Sequence, residues 1–196
     1  MATKPGERRV QILHTLAEML QDPKGEKITT AALAARLEVS EAALYRHFAS
    51  KAQMYEGLIE FIEQTVFGLT NKIVAEEESG AAQLRGIVGM LLGFAEKNPG
   101  MTRVLIGDAL VNEDERLQAR INQLHDRIEA TLKQCLRLAA TQSAANDAAV
   151  SGEAADPSPH ANLILAYVVG RWHQFAKSGF RRKPTELMEK QWPLLA

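Results

Sequence analysis

A chain of 196 residues with 46% apolar and 24% charged side chains is long enough to bury a substantial core, and it is neither disordered nor fibrous in composition. Its formal charge of −1 excludes a protein that coats nucleic acid or membrane by bulk electrostatics, so local charge has to decide the partner. A single cysteine, Cys135, excludes an intramolecular disulfide framework and a cysteine-based zinc cluster, which fits a reducing compartment.

The start, MATKPGERR, carries no apolar signal region, so a cytoplasmic protein is expected. Residues 1–51 hold eight Lys or Arg against six Asp or Glu, whereas the remainder holds fifteen against eighteen. The first quarter is thus the locally basic part of the chain. Helical periodicity dominates throughout and strand-like alternation is missing, so the fold class is all-α. Val10, Leu13, Leu16, Ala17 and Leu20 recur at helical spacing and predict a first helix over residues 6–21, ended by the turn Asp22-Pro23-Lys24-Gly25.

Thr29 is placed to cap a second helix whose inward residues are Leu33, Ala34 and Leu37. A third, short helix follows Ser40. Ser50 with Gln53 forms S-x-x-Q, a capping-box pattern that starts a long fourth helix. In that helix Met54, Leu58, Ile62, Thr65, Leu69 and Ile73 predict a buried stripe. Phe61 sits at its margin, compatible with core or with partial exposure.

A fifth helix is expected from Ala81 to the break Asn98-Pro99-Gly100, with its apolar stretch at residues 84–95 too short and too charged to cross a bilayer. A short helix over residues 101–110 follows. After Asn112 a long helix carries the seam Leu117, Ile121, Leu124, Ile128, Leu132 and Leu136. Residues 139–161, rich in Ala, Ser, Asp and Gly, are expected to be a mobile connection. The last long helix, residues 161–177, is apolar on most sides (Leu163, Ile164, Leu165, Tyr167, Val168, Val169, Trp172, Phe175), a surplus that suggests a subunit interface.

Function is concentrated in residues 29–51, TTAALAARLEVSEAALYRHFASK. A two-turn helix, a tight turn and a second short helix within about 20 residues have the dimensions of a DNA-reading helix-turn-helix. Ala34 is small where the helices cross, and Val39, Leu44 and Phe48 would hold the recognition helix by its apolar side. Its other side then presents Ser40, Glu41, Ala42, Tyr45, Arg46 and His47 to a major groove. Ser40, Tyr45, His47 and Lys51 are candidate phosphate contacts, and Thr29, Ala42 and Arg46 are candidates close to bases. No enzyme, metal or cofactor is expected: His14, His47, His125, His160 and His173 lack metal-ligand spacing with carboxylates or Cys135, and no Gly-rich phosphate loop or nucleophile motif occurs.

The ending Tyr45-Arg46-His47-Phe48-Ala49-Ser50-Lys51 resembles the DNA-binding domain of the TetR family, whose helix-turn-helix closes on an aromatic-x-His-Phe followed by Ser-Lys. Glu38 stands where that family's turn usually has Gly. A left-handed non-glycine residue there would cost on the order of 1 kcal/mol. The segments at residues 58–63, 91–110 and 116–130 and the tail RKPTELMEKQWPLLA are similar to the nucleoid occlusion factors within the TetR family.

That resemblance implies a helix-turn-helix domain at residues 1–50 and a helical regulatory and dimerisation domain at 51–196. It further implies a nucleoid-associated homodimer that binds a near-palindromic double-stranded site and antagonises the tubulin-like division protein FtsZ, with no membrane partner. The partner surface it implies maps onto Phe61, Met90, Gly93, Lys97 and Asn98, while Leu69 replaces a basic residue. The rival reading is a ligand-responsive TetR-type repressor with an apolar cavity lined by residues 84–95 and 163–175.

Overall fold

A computed structural model describes residues 5–22, 28–146 and 156–195. Among them are nine α-helices and no strand: α1 (Pro5–Met19), α2 (Thr30–Arg36), α3 (Glu41–Tyr45), α4 (Lys51–Glu76), α5 (Gly80–Lys97), α6 (Pro99–Leu105), α7 (Glu115–Asn146), α8 (Ser158–Lys177) and α9 (Met188–Gln191). They pack as two compact units, Met1–Glu63 with Asn98–Ile121, and Gln64–Lys97 with Asn122–Ala196. The long helices α4 and α7 contribute residues to both.

In the first unit α1 buries Ile12 and Leu16, and Leu20 just past its end continues the same four-residue step. Val10, expected on the inner face, is 66% exposed, and Ile12 takes its place. The expected turn after Asp22 falls on residues 23–25, outside the described residues. Helix α6 starts at Pro99, since proline is tolerated in a first turn where its missing N–H has no partner to lose. Gly100 lets α6 approach α1 closely: a Cβ there would lie 1.9 Å from the Ala17 carbonyl oxygen. The helix expected over residues 101–110 is interrupted. Gly107 adopts φ 76, and a short 3-10 turn at Asp108–Leu110 follows it.

In the second unit α5 and α8 pack on each other through Leu84, Ile87, Val88, Leu91, Ile164, Val168 and Trp172, all at most 3% exposed. The Trp172 indole donates to the Leu91 carbonyl at 3.2 Å, so the ring fills the space between the helices while its N–H stays satisfied. Arg171, 5% exposed, donates to the carbonyls of Lys183 and Pro184 and ties the C-terminal segment to α8.

Two expectations are corrected here. Beyond Ile62 the buried stripe of α4 continues through Val66 and Thr70, and Leu69 is 41% exposed. The stripe keeps a four-residue step from Ile62, whereas the expected one took a three-residue step to Thr65 and went on to residues 69 and 73. The expected connection at 139–161 is helical over 139–146, where α7 runs to Asn146, and α8 begins at Ser158. Residues 147–155 lie outside the described residues. Alanine is the strongest helix former, and Gln142 docks on the start of α5, accepting from the Gly80 N–H at 2.9 Å and donating to the Glu78 carbonyl at 2.7 Å.

Candidate nucleic-acid interface

Hydroxyl side chains start each helix of the motif. Thr29 Oγ1 accepts from the Ala32 N–H at 3.1 Å and Ser40 Oγ from the Ala43 N–H at 3.3 Å, satisfying donors that the first helical turn leaves unpaired. At α4, Ser50 Oγ accepts from the Gln53 N–H at 3.1 Å, and Gln53 Oε1 accepts from the Ala49 N–H at 2.8 Å. The return bond therefore reaches one residue further upstream than in a reciprocal capping box.

Between α2 and α3 the turn is closed by backbone bonds from Glu38 N–H to the Ala35 carbonyl and from Val39 N–H to the Ala34 carbonyl. Glu38 adopts φ 55, the left-handed conformation expected at that position. Leu33, Leu44 and Phe48, each 1% exposed, fix α3 by its apolar side. Full burial of such a side chain contributes about 1.5–3 kcal/mol, enough for three of them to hold a five-residue helix that could not form alone. Arg9 secures the end of α3 from outside, donating to the His47 carbonyl at 2.5 Å with its guanidinium 4.2 Å above the Phe48 ring.

Pinned in this way, α3 turns Glu41, Ala42, Tyr45 and Arg46 to solvent, with Tyr45 45% exposed. Thr29 and Ser40 are exposed too, their oxygens engaged as caps. His47 is half-buried. Thr30, which sequence reasoning missed, joins this face: the Tyr45 hydroxyl donates to Thr30 Oγ1 at 3.5 Å, and the Thr30 hydroxyl donates to Glu41 Oε2 at 2.6 Å. That cross-helix chain locks the start of α2 to α3. The four-residue spacing of Glu41 and Tyr45 on one face was its only sequence signal.

Lys51 stands apart from the exposed set. Its ammonium pairs with Glu113 at 2.5 Å and lies 5.6 Å from the centre of the Tyr55 ring, with the Lys51 and Glu113 side chains 20% and 11% exposed. Burial, reinforced by the Glu113 charge and opposed by Arg103, pushes the Tyr55 hydroxyl up to about 12.

Of the implied partner residues in the first unit, Phe61 is 48% exposed and Asn98 half-buried. In the second unit Met90 is half-buried, Lys97 exposed, and a Cβ on Gly93 would meet nothing within 4 Å, so this glycine does not serve close helix packing. Among the described residues no group of three or more His, Cys, Asp or Glu is placed to hold a metal ion. Among the described residues no helix is long and apolar enough to cross a membrane either.

Residues 12–58 match the family model of bacterial regulatory proteins of the tetR family, and residues 79–196 match the SlmA-like model of the tetracyclin repressor-like C-terminal domain. The chain is 51% identical over 191 residues to the nucleoid occlusion factor SlmA of Alteromonas mediterranea, covering 97% of this chain and 95% of that one. It is 48% identical over 196 residues to the nucleoid occlusion factor SlmA of Marinomonas sp. (strain MWYL1), covering 100% and 96%. The TetR family transcriptional regulator PfmR of Thermus thermophilus superposes with a TM-score of 0.74 over 94% of this chain and 96% of that one, at 21% identity, a likeness of fold alone. With a TetR-type reader at one end and this similarity along nearly its whole length, the chain belongs to the SlmA nucleoid occlusion factors of the TetR family.

Proposed function

We propose that the chain binds chromosomal sites as a dimer and there restrains FtsZ assembly over the nucleoid, so that division is kept away from the chromosome. The observation that carries this reading is similarity to SlmA proteins through the helical body as well as the reader, since a matched reader alone would support DNA binding and nothing more.

In this reading residues 1–50 form the DNA-binding module and residues 51–196 the regulatory and dimerisation module. Ser40, Tyr45, His47 and Lys51 contact phosphates, and Thr29, Ala42 and Arg46 lie near base edges of the major groove. The exposure of Tyr45, Ala42 and Arg46 on a pinned helix supports this assignment. Dimerisation through α7 and α8 is supported by Leu163, 54% exposed on an otherwise core-forming helix, and by Gly170, whose Cβ would meet nothing within 4 Å. A two-fold dimer would set two recognition helices about 34 Å apart on a near-palindromic site.

FtsZ is engaged through Phe61, Met90, Gly93, Lys97 and Asn98. The role is regulatory binding, without catalysis, in the nucleoid-associated cytoplasm. A ligand-responsive repressor has less support, because the apolar faces of α5 and α8 are filled by each other's side chains and by the Trp172 ring. Sedimentation of FtsZ polymers with the protein and cognate DNA tests the proposal. Reduced polymer or co-sedimentation is expected, and unchanged polymer with no co-sedimentation would reject the FtsZ role.

A further inference from the structure

Lys51 opens α4 directly behind the recognition helix, where a cation that contacts the DNA backbone is needed, yet its ammonium is turned into the protein. The carboxylate that takes it, Glu113, comes from the segment between the 3-10 turn and α7, more than 60 residues along the chain. The Glu113 N–H is held by the Leu110 carbonyl at 3.0 Å, and the preceding Asn112 adopts φ 63, which few non-glycine residues do.

Glu113 is thus set by its backbone, while Lys51 carries a flexible four-carbon stem. A first-turn lysine also faces the positive end of its own helix dipole, so it has no local reason to fold inward without that carboxylate. We propose that Glu113 is an internal competitor for the DNA backbone: it occupies the Lys51 ammonium as a phosphate would, and DNA binding has to open the pair. The inference rests on the DNA-reading role proposed for residues 40–51 and concerns what sets its affinity.

Two effects act in the same direction. Lys51 has to leave a largely buried partner before it reaches a phosphate, and the Glu113 charge itself repels the approaching backbone. Removing the charge of Glu113 therefore strengthens DNA binding, which is the reverse of what loss of a supporting salt bridge would do.

The test is titration of a fluorescent duplex carrying a cognate site with the full-length wild type, Glu113→Gln, Lys51→Ala and the double variant, across a range of salt concentrations. Glu113→Gln is expected to bind roughly threefold tighter or more at 0.1 M salt. Lys51 meets a phosphate in both bound complexes, so the slope of log K against log salt should match the wild type, whereas Lys51→Ala should lower it by about 0.9 for each lost contact, or about 1.8 for a dimer. In the Lys51→Ala background Glu113→Gln should bring a smaller gain in affinity.

Glu113→Ala gives the same sign without a hydrogen-bonding amide, and thermal melting of each variant establishes that it is folded. Unchanged or weaker binding by folded Glu113→Gln would overturn the inference, as would an equal gain in affinity in the Lys51→Ala background. In either case wild-type binding would leave the DNA-reading role standing. A wild type that ignores every duplex would remove both.

Discussion

Replacing Glu38 by glycine should stabilise the protein, and the size of the gain follows from one backbone angle. Glu38 holds φ 55 in the turn between α2 and α3, and its side chain is exposed, so Glu38→Gly removes no packing. The left-handed conformation costs an L-residue about 1–2 kcal/mol, whereas glycine's greater freedom in the unfolded chain returns about 0.5–1 kcal/mol of that gain. A net stabilisation of about 0.5–1 kcal/mol remains, which raises Tm by roughly 1–4 °C for a chain of this size. Thermal and urea denaturation of Glu38→Gly and Glu38→Gln measure it. Glu38→Gln keeps the strained angle and loses only the charge, so it should melt with the wild type. A Glu38→Gly variant no more stable than wild type would refute the strain reasoning, and an equal gain in Glu38→Gln would transfer the effect to charge.

Phe48→Ala should cost about 3–5 kcal/mol in the same denaturation assay, and DNA binding should fall with it because α3 loses its floor. Gly100→Ala should be destabilised by about 1–3 kcal/mol or more, since its Cβ would meet the Ala17 backbone. Gly93→Ala, with nothing near its Cβ, should gain about 0.8–1 kcal/mol from helix propensity, and on the proposed partner surface it should weaken FtsZ co-sedimentation. Tyr55 has its folded pKa raised above the unfolded value, to about 12, so its contribution is fully present below pH 10 and is lost as pH rises toward 12. Tyr55→Phe should therefore show a flatter alkaline limb in a stability-against-pH series. Tyr45→Ala should bind cognate DNA more weakly with little change in Tm, as expected for an exposed contact residue.

Local chemistry was legible in the sequence. Thr29 and Ser50 each cap the helix that follows, because a hydroxyl reaching the third residue on needs no tertiary context. Glu38 marked the left-handed turn because it stands where the turn of the TetR family usually has Gly, and it holds φ 55. The apolar floor of the recognition helix was equally visible in Leu33, Leu44 and Phe48.

What escaped depends on distance along the chain or on phase. The stripe of α4 slipped at Thr65 because the reading took a three-residue step from Ile62, where the buried position four residues on is Val66. Residues 139–146 have the composition of a linker, but their helix is held by Gln142 against the start of α5, which no local pattern announces. Pairings such as Lys51 with Glu113 and Tyr45 with Thr30 join separate elements, so the exposed face was predicted while the bonds that shape it were not.

A genome-wide map of where the protein binds in growing cells tests the occlusion role most directly. Many dispersed sites, sparse toward the replication terminus, are expected if the bound dimers hold division away from the chromosome. Occupancy confined to a single promoter would contradict that role and point to a local repressor.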